Sequence, residues 1–209
     1  MEKIKQQLIK IGKKLRKNGF SPGCSGNISV RYSRYFLISP SGKALGDFAE
    51  EEIVLVDENY NVIDGKVKPS SEAKLHLEIY KLRPDIEAVI HCHAPKSSAF
   101  AVANIPISQP VLSESVFHIG EVPVAKYFMP SSDAVAKETA QYFTSHNAVL
   151  MKNHGVVAGG KTLQEAYYKI ETVEYTADVI LNAKILGNAT ELNADEVHEI
   201  QELRKTLGK

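Results

Sequence analysis

Apolar residues recur at Ile4, Leu8, Ile11 and Leu15, the spacing of one helix face, and Gly19 follows as a stop. The pattern predicts an amphipathic helix over residues 2–18. Beyond a small, flexible stretch from Ser21 to Gly26 the period shortens. Ile28-Ser29-Val30 and Tyr35-Phe36-Leu37-Ile38 read as short strands joined by a polar turn, and Ser39-Pro40-Ser41-Gly42 as a second turn. Ile53-Val54-Leu55-Val56 reads as a further strand, with Asn61-Val62-Ile63 as its partner across the Glu58-Asn59 turn.

A helical pattern then runs through Leu75, Ile79 and Leu82 and stops at Pro84, with Ser70 or Ser71 as its N-cap. Ala88-Val89-Ile90 reads as a buried strand and 95–103 as a helix. The stretch 104–130 contains four prolines and reads as irregular. Ser132 caps a helix over 133–145, Ala148–Met151 is a strand, Thr162 caps a long helix to Leu186 ended by Gly187, and Asn193 caps a last charged helix. Helices and strands alternate while several strands are hairpin-linked. This predicts one layered α/β domain over residues 1–209, with a central mixed or mainly antiparallel sheet flanked by helices.

Composition narrows the function classes. The 209 residues are 44% hydrophobic, enough for one sizeable core. Lys+Arg and Asp+Glu are both 25, so broad electrostatic binding to nucleic acid or to an anionic membrane is not expected. No run approaches the roughly 18 apolar residues of a membrane span, and the amino terminus shows no signal-peptide pattern. The only cysteines are Cys24 and Cys92, so a reducing, cytoplasmic setting is the expectation.

The chemistry is concentrated in His91-Cys92-His93 and Asn153-His154-Gly155. Histidines two apart on a strand share a face, with Cβ atoms about 7 Å apart. Both imidazoles can then reach one ion, and Cys92 points to the opposite face as a small core residue. A third histidine from a distant segment would leave one position open, as catalytic metal sites do.

Five motifs occur in order: Gly-Cys-Ser-Gly-Asn at 23–27, Ser-Pro-Ser-Gly at 39–42, Pro-Ser-Ser-Glu at 69–72, His-Cys-His at 91–93 and Asn-His-Gly at 153–155. Together they resemble the class II aldolase/epimerase superfamily, which includes L-fuculose-1-phosphate aldolase, L-ribulose-5-phosphate 4-epimerase and rhamnulose-1-phosphate aldolase. The resemblance implies that His91, His93 and His154 bind a divalent cation, usually Zn2+. It implies that Glu72 is the catalytic acid/base and a metal ligand when substrate is absent. Gly26, Asn27, Ser41, Gly42, Ser70 and Ser71 would hold a substrate phosphate. A homotetramer with active sites near subunit interfaces is implied as well. The residues suit these roles, because helix N-termini and glycine-rich turns offer phosphate many short donors. Retro-aldol cleavage places negative charge on a carbonyl oxygen, stabilised by a lysine Schiff base or by a cation, and three candidate ligands favour the cation.

Glutamate at 72 resembles the fuculose-phosphate aldolases, whereas the ribulose-phosphate epimerases carry aspartate there. A tyrosine used by those aldolases after the HxH segment is absent from Ile107–Glu114, and their C-terminal tyrosine is absent from 202–209. Glu114 is the suggestive replacement, because the related methylthioribulose-1-phosphate dehydratases carry a catalytic glutamate in a comparable region. It is either a second acid/base or a solvated loop carboxylate. His76 reads as a packing or hydrogen-bonding residue, His118 as structural, His146 and His198 as surface residues, and Lys152 as out of step with His154. The expectation is a zinc-dependent aldolase cleaving a ketose 1-phosphate, with L-fuculose 1-phosphate first. A pentulose-phosphate epimerase or dehydratase is the alternative enzyme. A non-catalytic scaffold resembling the adducin head would be expected to lack some of the four residues kept here.

Overall fold

The computed structural model describes residues 1–207; Gly208 and Lys209, the end of the expected domain, lie outside the described residues. The helices are α1 (Glu2–Lys17), α2 (Ala73–Leu82), α3 (Pro95–Ala103), α4 (Ser113–His118), α5 (Asp133–Gln141), α6 (Leu163–Leu186) and α7 (Ala194–Thr206). The strands are β1 (Asn27–Tyr32), β2 (Tyr35–Ile38), β3 (Val54–Val56), β4 (Val62–Asp64), β5 (Ala88–Cys92), β6 (Val124–Ala125), β7 (Ala148–Met151) and β8 (Gly155–Gly160). They form one sheet in the order β4-β3-β2-β1-β5-β8-β7-β6. Every pairing is antiparallel except β6 with β7, so the sheet is mixed and mainly antiparallel, as expected.

Strand alternation divides the core into two layers. Ala88, Ile90 and Cys92 of β5 pack with Leu8, Leu15, Phe100, Ile170 and Val173, beneath α1, α3 and α6. Val89 faces the other way, with Leu75, Ile79, Val135 and Ala140 of α2 and α5. Each fully buried Leu or Ile contributes roughly 1.5–3 kcal/mol. Helix starts follow their caps: Ser132 accepts from the Val135 N–H, Thr162 from Glu165, and Asn193 from Asp195 and Glu196.

Four local expectations are corrected. The cap position of α2 is Glu72, not Ser70 or Ser71; the Ser70 hydroxyl, two residues before the cap, instead accepts from the Glu72 N–H at 3.3 Å. The stretch 104–130 holds α4 and the two-residue β6, both too short to impose a period on the sequence. The helix begun at Asp133 ends at Gln141 and tightens into a 3₁₀ turn over Tyr142–Thr144. β8 was not anticipated, because three of its six residues are glycine and weaken the strand pattern, yet all six are buried between β5 and β7.

Candidate metal centre and active site

The antiparallel register of β1 on β5 sets Asn27 directly opposite His91. Directly paired residues share a face, so Asn27, Ser29 and His91 all look toward α2. Along that helix, residues four apart meet the alternate residues of β1. The Asn27 amide donates to Glu72 Oε2 at 2.9 Å, and Ser29 Oγ lies 2.7 Å from His76 Nδ1 and 2.8 Å from the Tyr80 hydroxyl. This polar ladder fixes the start of α2, and with it Glu72, against β5.

His93 follows the end of β5, and its N–H donates to the Phe20 carbonyl at 2.8 Å. The next residues are locked by Glu174 of α6, whose carboxylate accepts from the N–H groups of Lys96 and Ser97, each at 2.8 Å. His154 stands in the β7–β8 turn, immediately after Asn153 in the left-handed region at φ 56°. Two glycines make room for these side chains. At Gly26 (φ 81°) a Cβ would fall 2.8 Å from the His91 carbonyl oxygen; at Gly155 it would fall 2.4 Å from the Cys92 carbonyl oxygen and 2.9 Å from the His93 ring.

The ligand atoms of His91, His93 and His154 lie within 4.8 Å of one another. His91 Nδ1 is 3.0 Å from the Val156 carbonyl oxygen. A carbonyl only accepts, so Nδ1 carries the proton and Nε2 presents its lone pair to the cluster. His91 and His93 approach at 3.2 Å between Nε2 atoms, and Glu72 lies 3.3 Å from His91 Nε2 and 3.5 Å from His154 Nε2. A tetrahedral cation with bonds of 2.0–2.1 Å holds adjacent ligands roughly 3.3 Å apart, so these separations fit a divalent ion. Burial, reinforced by the charge of the neighbouring histidines, holds His91 well below the ordinary imidazole range and also lowers His93. Both therefore stay neutral near pH 7, the ligating form.

Beside the histidines is a cavity of about 160 Å³, lined by Cys24, Ser25, Gly26, Asn27, Pro40, Ser41, Gly42, Ser70, Ser71, Glu72, His93 and His154. Short backbone pairings hold its loops together: Ser41 N–H to the Lys68 carbonyl at 2.9 Å, and Ser70 N–H to the Ser39 carbonyl at 3.0 Å. Three segments far apart in sequence thus place hydroxyls and turn backbone around one small space. All six expected phosphate residues line it, together with Glu72 and two of the histidines, while His91 is fully buried behind.

Glu114 is not part of that wall. It is exposed in the first turn of α4. Lys152 also lies outside the wall, and Cys92 is buried in the opposite layer, its thiol pushed up to about 12 by burial. His76 is fully buried and hydrogen-bonded, and His198 is exposed; His146 is half-buried, with its ring on Ser145 and the Tyr142 carbonyl. A larger cavity, about 940 Å³, opens near Gly160 at the other end of β8 and contains none of the five motifs' side chains. Sequence reasoning missed Asn27 as the partner of Glu72, the Val156 carbonyl behind His91, and Glu174. These contacts cross distant segments and leave no local pattern.

Comparison with known proteins gives the same assignment. Residues 6–181 match the family described as Class II Aldolase and Adducin N-terminal domain. An L-fuculose phosphate aldolase of Methanocaldococcus jannaschii is 37% identical over 177 residues, covering 85% of this chain and 95% of that protein. A 5-methylthioribulose-1-phosphate/5-deoxyribulose-1-phosphate aldolase of Escherichia coli is 32% identical over 211 residues, covering 100% and 99%. A solved L-fuculose 1-phosphate aldolase superposes with a TM-score of 0.92 at 34% identity, over 98% of this chain and 97% of that one. The chain therefore belongs to the class II aldolase superfamily, as an aldehyde-lyase close to the L-fuculose-1-phosphate aldolases.

Proposed function

We propose that the whole chain acts as one divalent-metal-dependent aldolase domain, cleaving a ketose 1-phosphate to dihydroxyacetone phosphate and a short aldehyde. L-fuculose 1-phosphate, giving L-lactaldehyde, is the leading substrate. The observation that carries this reading is the convergence of three imidazole nitrogens and Glu72 on one point beside a donor-lined cavity. His91, His93 and His154, with Glu72 when substrate is absent, hold the cation, for which zinc is the expected ion. Once bound, it supplies Lewis-acid stabilisation of negative charge on the substrate's carbonyl oxygen. Gly26, Asn27, Ser41, Gly42, Ser70 and Ser71 seat the phosphate and so fix the position of the scissile carbon–carbon bond. Glu72 lies between the histidine cluster and the phosphate donors, where its protonated form would give a proton to the carbon left by cleavage.

The other proton leaves the hydroxyl that becomes the aldehyde. In this reading Glu114, which is exposed and lies outside its own chain's cavity, takes it by reaching a neighbouring subunit's substrate within a homotetramer. Glu114→Gln should then lower kcat and shift the pH profile. Full activity with an unchanged profile would remove Glu114 from the mechanism.

The E. coli relative's name, with its full coverage, favours a 5-deoxypentulose or methylthioribulose phosphate as the second substrate reading. A panel of ketose 1-phosphates with coupled detection of dihydroxyacetone phosphate tests both. L-fuculose 1-phosphate should give the highest kcat/KM. A panel in which no member releases dihydroxyacetone phosphate would end the aldolase assignment.

A further inference from the structure

Two non-glycine residues in the left-handed backbone region reach the same turn. Tyr60 (φ 69°) lies between β3 and β4, and Ser131 (φ 63°) lies in the loop before α5. The Tyr60 hydroxyl donates to the Ser70 carbonyl at 2.9 Å, and the Ser131 hydroxyl donates to Ser71 Oγ at 2.9 Å. Left-handed backbone is costly for residues with a side chain, and glycine would satisfy either turn without that cost. The Tyr60 turn is itself braced, since Asp57 Oδ1 accepts from the N–H groups of Asn59 and Asn61 at 2.9 and 2.8 Å.

We propose that Tyr60 and Ser131 are positioning residues that set the Ser70-Ser71 turn for phosphate. The proposal rests on the phosphate reading of the cavity given above. A hydroxyl has one proton to donate and lone pairs that accept, and a phosphate oxygen needs the proton. Ser131 occupies an acceptor position on Ser71 Oγ, and the Glu72 N–H occupies one on Ser70 Oγ at 3.3 Å. Both serine protons are left for the cavity. Tyr60 acts on the backbone. A trans peptide is planar with its C=O and N–H pointing in opposite directions, so pinning the Ser70 carbonyl also fixes the direction of the Ser71 N–H. The β3–β4 hairpin, whose outer strand contributes no buried residue, thereby gains a role in substrate affinity.

The test measures inorganic phosphate binding by calorimetry to metal-loaded wild type, Tyr60→Phe, Ser131→Ala and Ser131→Gly. Each lost hydroxyl should weaken phosphate roughly fivefold, in line with one hydrogen bond. The Gly variant, which relieves the backbone, should be as weak as Ala. KM for a ketose 1-phosphate should rise by the same factor, with kcat and bound metal unchanged, a split that general destabilisation does not produce. Wild-type phosphate affinity in folded Tyr60→Phe and Ser131→Ala would overturn the positioning role while leaving the phosphate site intact. A wild-type protein that binds no phosphate would overturn the phosphate reading, and this role with it.

Discussion

One added methyl group at Gly155 probes how tightly the histidines are held. It would place a carbon 2.4 Å from the Cys92 carbonyl oxygen and 2.9 Å from the His93 ring, so β8 or the imidazole has to move. Overpacking of this kind costs about 1–3 kcal/mol. Disturbing the setting of a metal ligand typically weakens metal binding ~10–100-fold. Gly155→Ala should therefore fold with a lower melting temperature and bind zinc at least tenfold more weakly in a competition titration. Unchanged zinc affinity would show that Gly155 does not shape the centre. The histidines themselves were legible in the sequence because strand alternation makes His91 and His93 neighbours across a buried Cys92. The demand for glycine at 155 was not, since it comes from the carbonyl of a strand more than sixty residues away.

At the scale of elements, the ladder between α2 and β1 joins the core to the site. His76 is buried in that ladder, and burial lowers its pKa from 6.5 to about 3. The folded value lies below the unfolded one, so between pH 6.5 and about 3 the unfolded chain binds the extra proton. Stability contributed by neutral His76 is fully present above that window and is lost as pH falls through it, at up to ~1.4 kcal/mol per pH unit. His91 and His93 shift in the same direction. Metal-free protein should thus lose denaturation midpoint steadily below pH 6.5, and His76→Gln should flatten that slope. Identical acid limbs for both proteins would contradict the burial argument. The major helices were readable from period and caps, because α1 buries an apolar stripe ahead of the Gly19 stop, while α5 and α6 bury theirs after the Ser132 and Thr162 caps. β8 and α4 were not: glycine erases strand patterning in one, and six residues are too few for a helical period in the other.

For the whole molecule, the sheet order brings β1, β5 and β8 together at its centre, and the three strands deliver Asn27, His91 and the His154-Gly155 turn to one end. No helix among the described residues is long and apolar enough to cross a membrane. The motif order in the sequence identified the family, but the way five separate segments close on one cavity required the pairing of β1, β5 and β8 and the docking of α2. The proposed function depends on that closure around a cation. Its most direct test is dihydroxyacetone phosphate release from L-fuculose 1-phosphate by chelator-stripped wild type and His93→Ala, before and after graded zinc addition. Stripped wild type should be inactive and regain turnover at about one zinc per chain, while His93→Ala should bind zinc at least tenfold more weakly and stay inactive at that ratio. Turnover that survives in metal-free buffer, or a wild-type chain that binds no divalent ion, would contradict the account.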